Sequence, residues 1–299
     1  MDIKDEKMKP PSMKLADDAT YQMTGNEKTE YEKIAKTVDS NITKEEKDAV
    51  DNLVNNEVVN EKALHSWFAK QHDLINFTNR VKTRYLIDDI KKHLQTNPNA
   101  KIVVFSQHTA KGTGVDLIEQ AIKPLADEGG FKYGRYYGKG SGQYGQNLST
   151  PGPERALDAK RFVNSDAYKV MVSSDAGAIG INYPNATMVV NLDHLYNPQK
   201  QNQRTARAIR AGGGANRQVL VRNMAVAGTI DERIMQVQSS KEAIFKKTMN
   251  GVRLAMPSIE DNMTIGVGQL RLWQTQKFSK PVNKSIETSK KVMHIILID

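Results

Sequence analysis

Four short apolar runs, set apart by helix-patterned sequence, constrain this chain more than any other feature. Ile102-Val-Val-Phe105 is apolar without interruption, and Lys169-Val-Met-Val-Ser173, Thr187-Met-Val-Val-Asn-Leu192 and Gln218-Val-Leu-Val221 follow it. A strand with one wet face alternates apolar and polar residues; an unbroken run fits a strand covered on both faces. Between the runs, residues 114–126 and Glu154 to Val163 have helical spacing, the second with Ala156, Ala159, Phe162 and Val163 available for packing, and Tyr133 to Tyr137 reads as a further strand. Strands alternating with helices predict an α/β fold with a doubly wound, mainly parallel sheet. In such sheets the working loops lie beyond the C-terminal ends of the strands. Ser106-Gln107-His108 and Ser173-Ser174-Asp175-Ala-Gly177 fall there.

The flanks read differently. Residues 1–80 are polar and predict a helical extension, with helical spacing over Thr24 to Val38 and Thr43 to Trp67 and an extended Pro10-Pro11 near the start. Thr43 followed by Glu46 is a capping-box pattern. Val81, Tyr85, Leu86, Ile90 and Leu94 line one stripe of an amphipathic helix that opens the sheet domain, expected over residues 81–250. Gly138 to Pro153 reads as a loop, and Thr229 to Lys247 as a helix whose first turn holds Asp231 and Glu232, where the dipole favours acids. Residues 251–299 form a C-terminal extension in which 254–299 show no clear period, although Val292 to Ile298 has the look of an edge strand.

Charge narrows the function. The chain carries a net +9, and residues 199–253 hold eleven Lys or Arg against Asp231, Glu232 and Glu242, nearly the whole excess. A basic zone of this kind suits a polyanion, either nucleic acid or nucleotide. Within it, Asn197 is a good N-cap, Pro198 suits the first helical position, and Gly212-Gly213-Gly214 supplies a stop. Gln203, Arg207 and Arg210 are spaced by four and three residues and would share one face of that helix. Two guanidiniums so placed repel each other and need an anion; phosphate fits their fork geometry. Other classes fall away. There is no cysteine, which excludes disulfides and Cys-based zinc sites, and the six histidines show no metal-ligand spacing. No apolar run is long enough for a membrane span and the N-terminus has no signal-peptide character, so a cytoplasmic, reducing location is expected.

These segments, in order, resemble the second RecA-like lobe of superfamily 2 helicases, within the Swi/Snf-type double-stranded-DNA translocases. The resemblance rests on Lys101-Ile-Val-Val-Phe-Ser-Gln107; on Ser173-Ser-Asp-Ala-Gly-Ala-Ile-Gly-Ile-Asn182 followed by Asp193 and Tyr196-Asn-Pro198; on Gln203-x-x-x-Arg207-x-x-Arg210; and on Thr229-Ile-Asp-Glu-Arg-Ile234. It covers roughly residues 82–247. The chain departs from the family pattern at Ala178 (Gly), Tyr196 (Trp) and Ile209 (His), and in the triple glycine, where a Gln is lost. These changes mark a divergent member; were it viral, its place would be the host cytoplasm.

The resemblance implies roles. Arg210 would act as an arginine finger on the γ-phosphate of ATP, with Arg207 supporting it and Gln203 orienting the helix or touching the nucleotide. Gly177 and Gly180 would let backbone approach nucleotide and DNA phosphates, Asn182 would cap that loop, and Asp193 would steady the loop or contact the arginine helix. Ser106, Gln107, Ser173, Ser174 and Arg155 would hold phosphates of double-stranded DNA without reading sequence. The chain has no Gly-x-x-x-x-Gly-Lys-Ser/Thr phosphate loop and no Asp-Glu pair after an apolar strand. The Ala110 to Gly114 segment is a decoy. ATP and Mg2+ would therefore be shared with a first-lobe ATPase on another polypeptide or on sequence outside these residues. The alternative is a DNA-binding or regulatory module that has lost the motor.

Overall fold

The computed structural model describes residues 11–17, 19–54, 60–138, 148–195, 198–209, 217–232 and 234–235. They fall into two compact units, one drawing on residues within 11–23, 76–195 and 199–226, the other on residues within 24–75 and 227–235 together with Pro198. The elements, in chain order, are β1 (Ser12–Leu15), β2 (Thr20–Tyr21), α1 (Gly25–Ser40), α2 (Lys44–Val54), α3 (Glu61–Lys70), α4 (His72–Thr96), β3 (Ile102–Phe105), α5 (Gly114–Gly129), β4 (Lys132–Tyr136), α6 (Gly152–Asn164), β5 (Tyr168–Ser173), α7 (Asp175–Gly180), β6 (Met188–Asn191), α8 (Pro198–Ala206), β7 (Gln218–Asn223) and β8 (Ala225–Val226).

In the first unit the described residues form a parallel six-stranded sheet in the order β1-β7-β6-β3-β5-β4, and β2 pairs in parallel with β8. β3 sits inside the sheet, with Ile102 opposite both Val170 and Met188 and Phe105 opposite both Ser173 and Asn191. Its unbroken apolar run is explained by the two layers it feeds. Ile102 and Val104 pack with Leu86 and Ile90 of α4 and Ile118 and Ile122 of α5. Val103 and Phe105 pack on the other face with Phe162 of α6, Ala178 of α7 and Tyr183. This is the doubly wound, mainly parallel α/β architecture read from the apolar runs.

Besides the two-residue β8, two strands near the N-terminus were not anticipated. Ser12–Leu15 and Thr20–Tyr21 lie inside the stretch expected to be a helical extension, yet β1 runs parallel to β7, with Ser12 opposite Gln218 and Leu15 opposite Val221. β1 is an edge strand of alternating exposed and half-buried residues, which carries little apolar signal.

In the second unit the Thr24 backbone N–H donates to the Glu27 carboxylate at 2.7 Å and the Glu27 N–H to the Thr24 hydroxyl at 3.3 Å, a capping box that starts α1. The expected box at Thr43 and Glu46 is present before α2, at 2.7 and 3.2 Å. Thr43 to Trp67 is not one helix: Asn60 caps a new one, its carbonyl oxygen accepting from Lys62 and Ala63 backbone N–H at 3.1 and 3.2 Å. Glu46 also takes the Ser66 hydroxyl and the Lys70 ammonium from α3. Burial pushes the Glu46 carboxyl up, but the Lys70, Ser66 and Thr43 contacts outweigh it and hold it at about 2.

Candidate functional site

Parallel strands bring their C-terminal ends to one rim, and three of those ends converge here. β3 leads into Ser106-Gln107-His108, β5 into Ser174 and α7, and β6 into Leu192-Asp193-His194 before α8. Asp193, with no exposed surface, is the centre. It accepts the Ser106 hydroxyl, the Gln107 backbone N–H at 3.1 Å and the Arg204 guanidinium at 3.2 Å. Burial alone would raise the Asp193 carboxyl, but the charge of Arg204, the nearby His108 and the Ser106 hydroxyl hold it below the ordinary carboxylate value.

Arg204 is itself fully buried. Its Nη1 reaches Asp193; its Nε donates to Asp175 Oδ1 at 2.8 Å and its Nη2 lies 2.7 Å from the same oxygen. Its guanidinium carbon stands 5.6 Å from the Phe105 ring centroid, so the fork lies over an aromatic face while carboxylates hold both ends. The sequence reading missed this residue as a site member. The buried side of α8 is Gln201, Arg204 and Thr205, continued by Ala208 just past the helix. Only Ala208 of these is apolar, so hydrophobic periodicity could not reveal the face. Gln201 is bonded too: its Oε1 accepts the Leu195 N–H at 3.0 Å and its amide donates to Asn223 at 3.1 Å.

The helix expected to run on to the triple glycine ends at Ala206. Arg207 N–H turns back to Arg204 carbonyl at 3.3 Å and Ala208 N–H to Thr205 carbonyl at 3.0 Å, a tight turn that delivers Ala208 into the core. The Arg207 carbonyl then accepts the Tyr183 N–H at 2.8 Å. A single helix face through Gln203, Arg207 and Arg210 is therefore not continued: Gln203 is exposed on α8 and Arg207 lies past its last turn. Arg207 is half-buried and donates to the Ala178 carbonyl at 2.5 Å and to the Asn182 side-chain oxygen at 3.4 Å, both neutral acceptors. Arg210, with Tyr196, Asn197 and Gly212 to Gly214, lies outside the described residues, as do residues 236–299.

The remaining expected residues divide into walls and rim. Ser106 and Ser173 have no exposed surface, and their hydroxyls are committed internally: Ser106 to Asp193, and Ser173 to the Tyr136 and Ser174 carbonyls with Tyr183 hydroxyl beside it at 3.1 Å. Both hydroxyls are thus engaged within the chain. Ser174 caps α7, accepting the Ala176 N–H at 3.3 Å. Gly177 is required by packing: a Cβ there would meet Ser173 Oγ at 2.0 Å and Tyr183 hydroxyl at 2.5 Å. That is a different reason from the backbone approach to a ligand inferred for it from sequence. Gly180 closes α7, and Asn182 is exposed beyond it. Gln107 is half-buried at the rim. Arg155, on α6, lies 5.8 Å from the Tyr136 ring, whose residue's carbonyl accepts the Ser174 N–H at 3.0 Å. It therefore adjoins the start of α7. Among the described residues there is no group of three or more His, Asp or Glu that could hold a metal ion.

The rim carries a pH signature. Burial pushes the His108 imidazole below its ordinary value, and Lys82 and Arg204 push the same way against the opposing Asp193. The folded chain therefore favours neutral His108. Below a pH of about 6.5 the unfolded chain takes up a proton that the folded one resists, so stability falls as pH drops. His93, lowered by burial and by Arg222, contributes in the same sense. Thermal melts from pH 7.5 to 5 should show a clear loss for the wild type and a shallower one for His108→Gln; equal slopes would remove His108 as a source.

Residues 82–212 match the family described as helicase conserved C-terminal domain. Over 188 residues the chain is 27% identical to the DNA repair protein RAD5 of Cryptococcus neoformans, covering 62% of this chain and 14% of that protein. It is 31% identical over 153 residues to the Arabidopsis thaliana protein CHROMATIN REMODELING 20, covering 50% of this chain and 10% of that one. Over residues 82–212 the chain is thus similar to helicase C-terminal domains of the Swi/Snf type. The Sulfolobus solfataricus SWI2/SNF2 ATPase core in complex with dsDNA resembles this chain in fold, with a TM-score of 0.55 at 19% identity, covering 85% of this chain and 47% of that one. The chain thus spans under half of that structure and about a seventh of the fungal relative. No described helix is long and apolar enough to cross a membrane.

Proposed function

We propose that this chain is the second lobe of a Swi/Snf-type DNA-dependent ATPase, and that it completes an ATP site whose phosphate loop lies on a first lobe elsewhere. The observation that carries this is the partition of two arginines three residues apart. Arg204 is buried and neutralised by Asp175 and Asp193; Arg207 is half-buried and held by neutral oxygens. A guanidinium oriented by a backbone carbonyl, its charge left open, is suited to a polyphosphate. Arg210, three residues on, would meet the charge that develops on the γ-phosphate, and Arg207 would support it. Gln107, Ser174 and Arg155 would meet the DNA backbone from the rim, giving salt-sensitive, sequence-independent binding to the duplex. ATP with its magnesium would be held by the first lobe. An intracellular site of action follows from a DNA substrate.

The test is reconstitution. The chain is mixed with a phosphate-loop first-lobe protein and duplex DNA, and ATP hydrolysis is measured. Arg210→Ala should lower the restored turnover by at least about 10³-fold, the lower range for an arginine finger, and Arg207→Ala by less. DNA affinity indifferent to ATP, to the partner and to both variants would instead mark a non-catalytic DNA-binding module.

A further inference from the structure

Arg204 lies where a cation is not needed to meet a ligand. It has no exposed surface, yet it joins three separate pieces of chain: α8, which bears it; Asp175, the first residue of α7; and Asp193, beyond β6. Its two ends differ. Asp193 is fully buried and also bonded to Ser106 and Gln107, whereas the Asp175 side chain is 41% exposed. Asp175 therefore places a carboxylate at the rim next to Ser174, where the proposed function brings a polyanion. Such a charge would repel phosphate unless neutralised from below, and the Nε and Nη2 of Arg204 both lie against its Oδ1.

We infer that Arg204 is a positioning residue that locks α7 to α8 and cancels the Asp175 charge, so that the rim can accept a nucleic-acid backbone although Arg204 never touches it. This deepens the reading above and rests on it for the DNA half only. The locking half is internal to the chain. α7 is a six-residue helix with Gly177 and Gly180 within it, poor in its own helical stability. The Asp175 link to Arg204 and the Arg207 bond to Ala178 both tether it to the α8 region.

The test uses the full chain with Asp175→Asn, Arg204→Gln and the double variant. Asp175→Asn removes only the exposed end of the link and leaves the buried Arg204–Asp193 pair, so folding should persist. Amide hydrogen exchange should then quicken in α7, at Ala176 and Gly177, and in α8, while amides of β3, β5 and β6 stay as slow as in the wild type. Unchanged α7 exchange, or a uniform rise across the sheet, overturns the lock. For the charge, affinity for a mixed-sequence DNA duplex should fall by roughly five- to tenfold in Arg204→Gln and recover most of that in the double variant, a rescue that loss of packing alone would not produce. A double variant as weak as Arg204→Gln overturns the cancellation. A wild-type chain that does not bind DNA sinks the proposed function and the charge half with it, and leaves the exchange result to decide the lock.

Discussion

Gly114→Ala is expected to destabilise the sheet domain by about 3 kcal/mol, or roughly 6–12 °C in Tm for a domain of this size. A Cβ at residue 114 would sit 2.1 Å from Ser106 Oγ, 2.5 Å from the His108 backbone carbonyl and 2.9 Å from His108 Cβ. The serine can be trimmed away; the carbonyl cannot, because it accepts the Val115 N–H at 2.9 Å and so fixes the first turn of α5 to the end of β3. Adding Ser106→Ala should therefore recover little. Gly177 makes the contrasting control, since the atoms its Cβ would meet belong to the Ser173 and Tyr183 side chains, and Ser173→Ala should relieve part of that clash. Urea denaturation of the four variants decides it. A Gly114→Ala chain within about 0.5 kcal/mol of wild type, the range of an ordinary surface change, would show that α5 does not need its close seat.

Asp193→Ala is expected to cost about 3–5 kcal/mol, the penalty for leaving a buried partner charge uncompensated. Arg204 would keep only Asp175, and Ser106 and the Gln107 N–H would lose their acceptor in the same stroke. Asp193→Asn separates the components: it keeps an acceptor for those groups while removing the charge, so it should fall between the wild type and the alanine variant. Equal losses in the two variants would assign the whole effect to charge. A loss below about 1 kcal/mol in Asp193→Ala, the level of an exposed pair, would mean that water reaches Arg204 and that the link is a surface contact.

Much of the architecture was legible because burial on both faces writes itself as unbroken apolar sequence. The expected run Ile102 to Phe105 is β3, and the runs around Val170, Val189 and Val219 are β5, β6 and β7. β1 was not legible, because an edge strand of four residues with one half-buried face carries no such pattern. The location of the site at the strand ends followed from topology. Its interior did not: the link from Arg204 to Asp175 spans 29 residues and that to Asp193 spans 11, and polar partners brought together by folding leave no periodicity. Spacing along an assumed continuous helix pointed to Gln203 and Arg207, whereas the early end of α8 turns the buried face to Gln201 and Arg204.

The placement of β1 beside β7 has a practical side. The stretch recognised by likeness to relatives, residues 82–212, holds neither strand. A gene fragment trimmed to those limits would strip β6 of its neighbour, baring the backbone that Leu220 and Arg222 now cover. Bare central strands invite self-association. For anyone expressing this lobe, the smallest piece that closes its own sheet reaches from Ser12 to Val226, and the ends of the homology are the wrong places to cut.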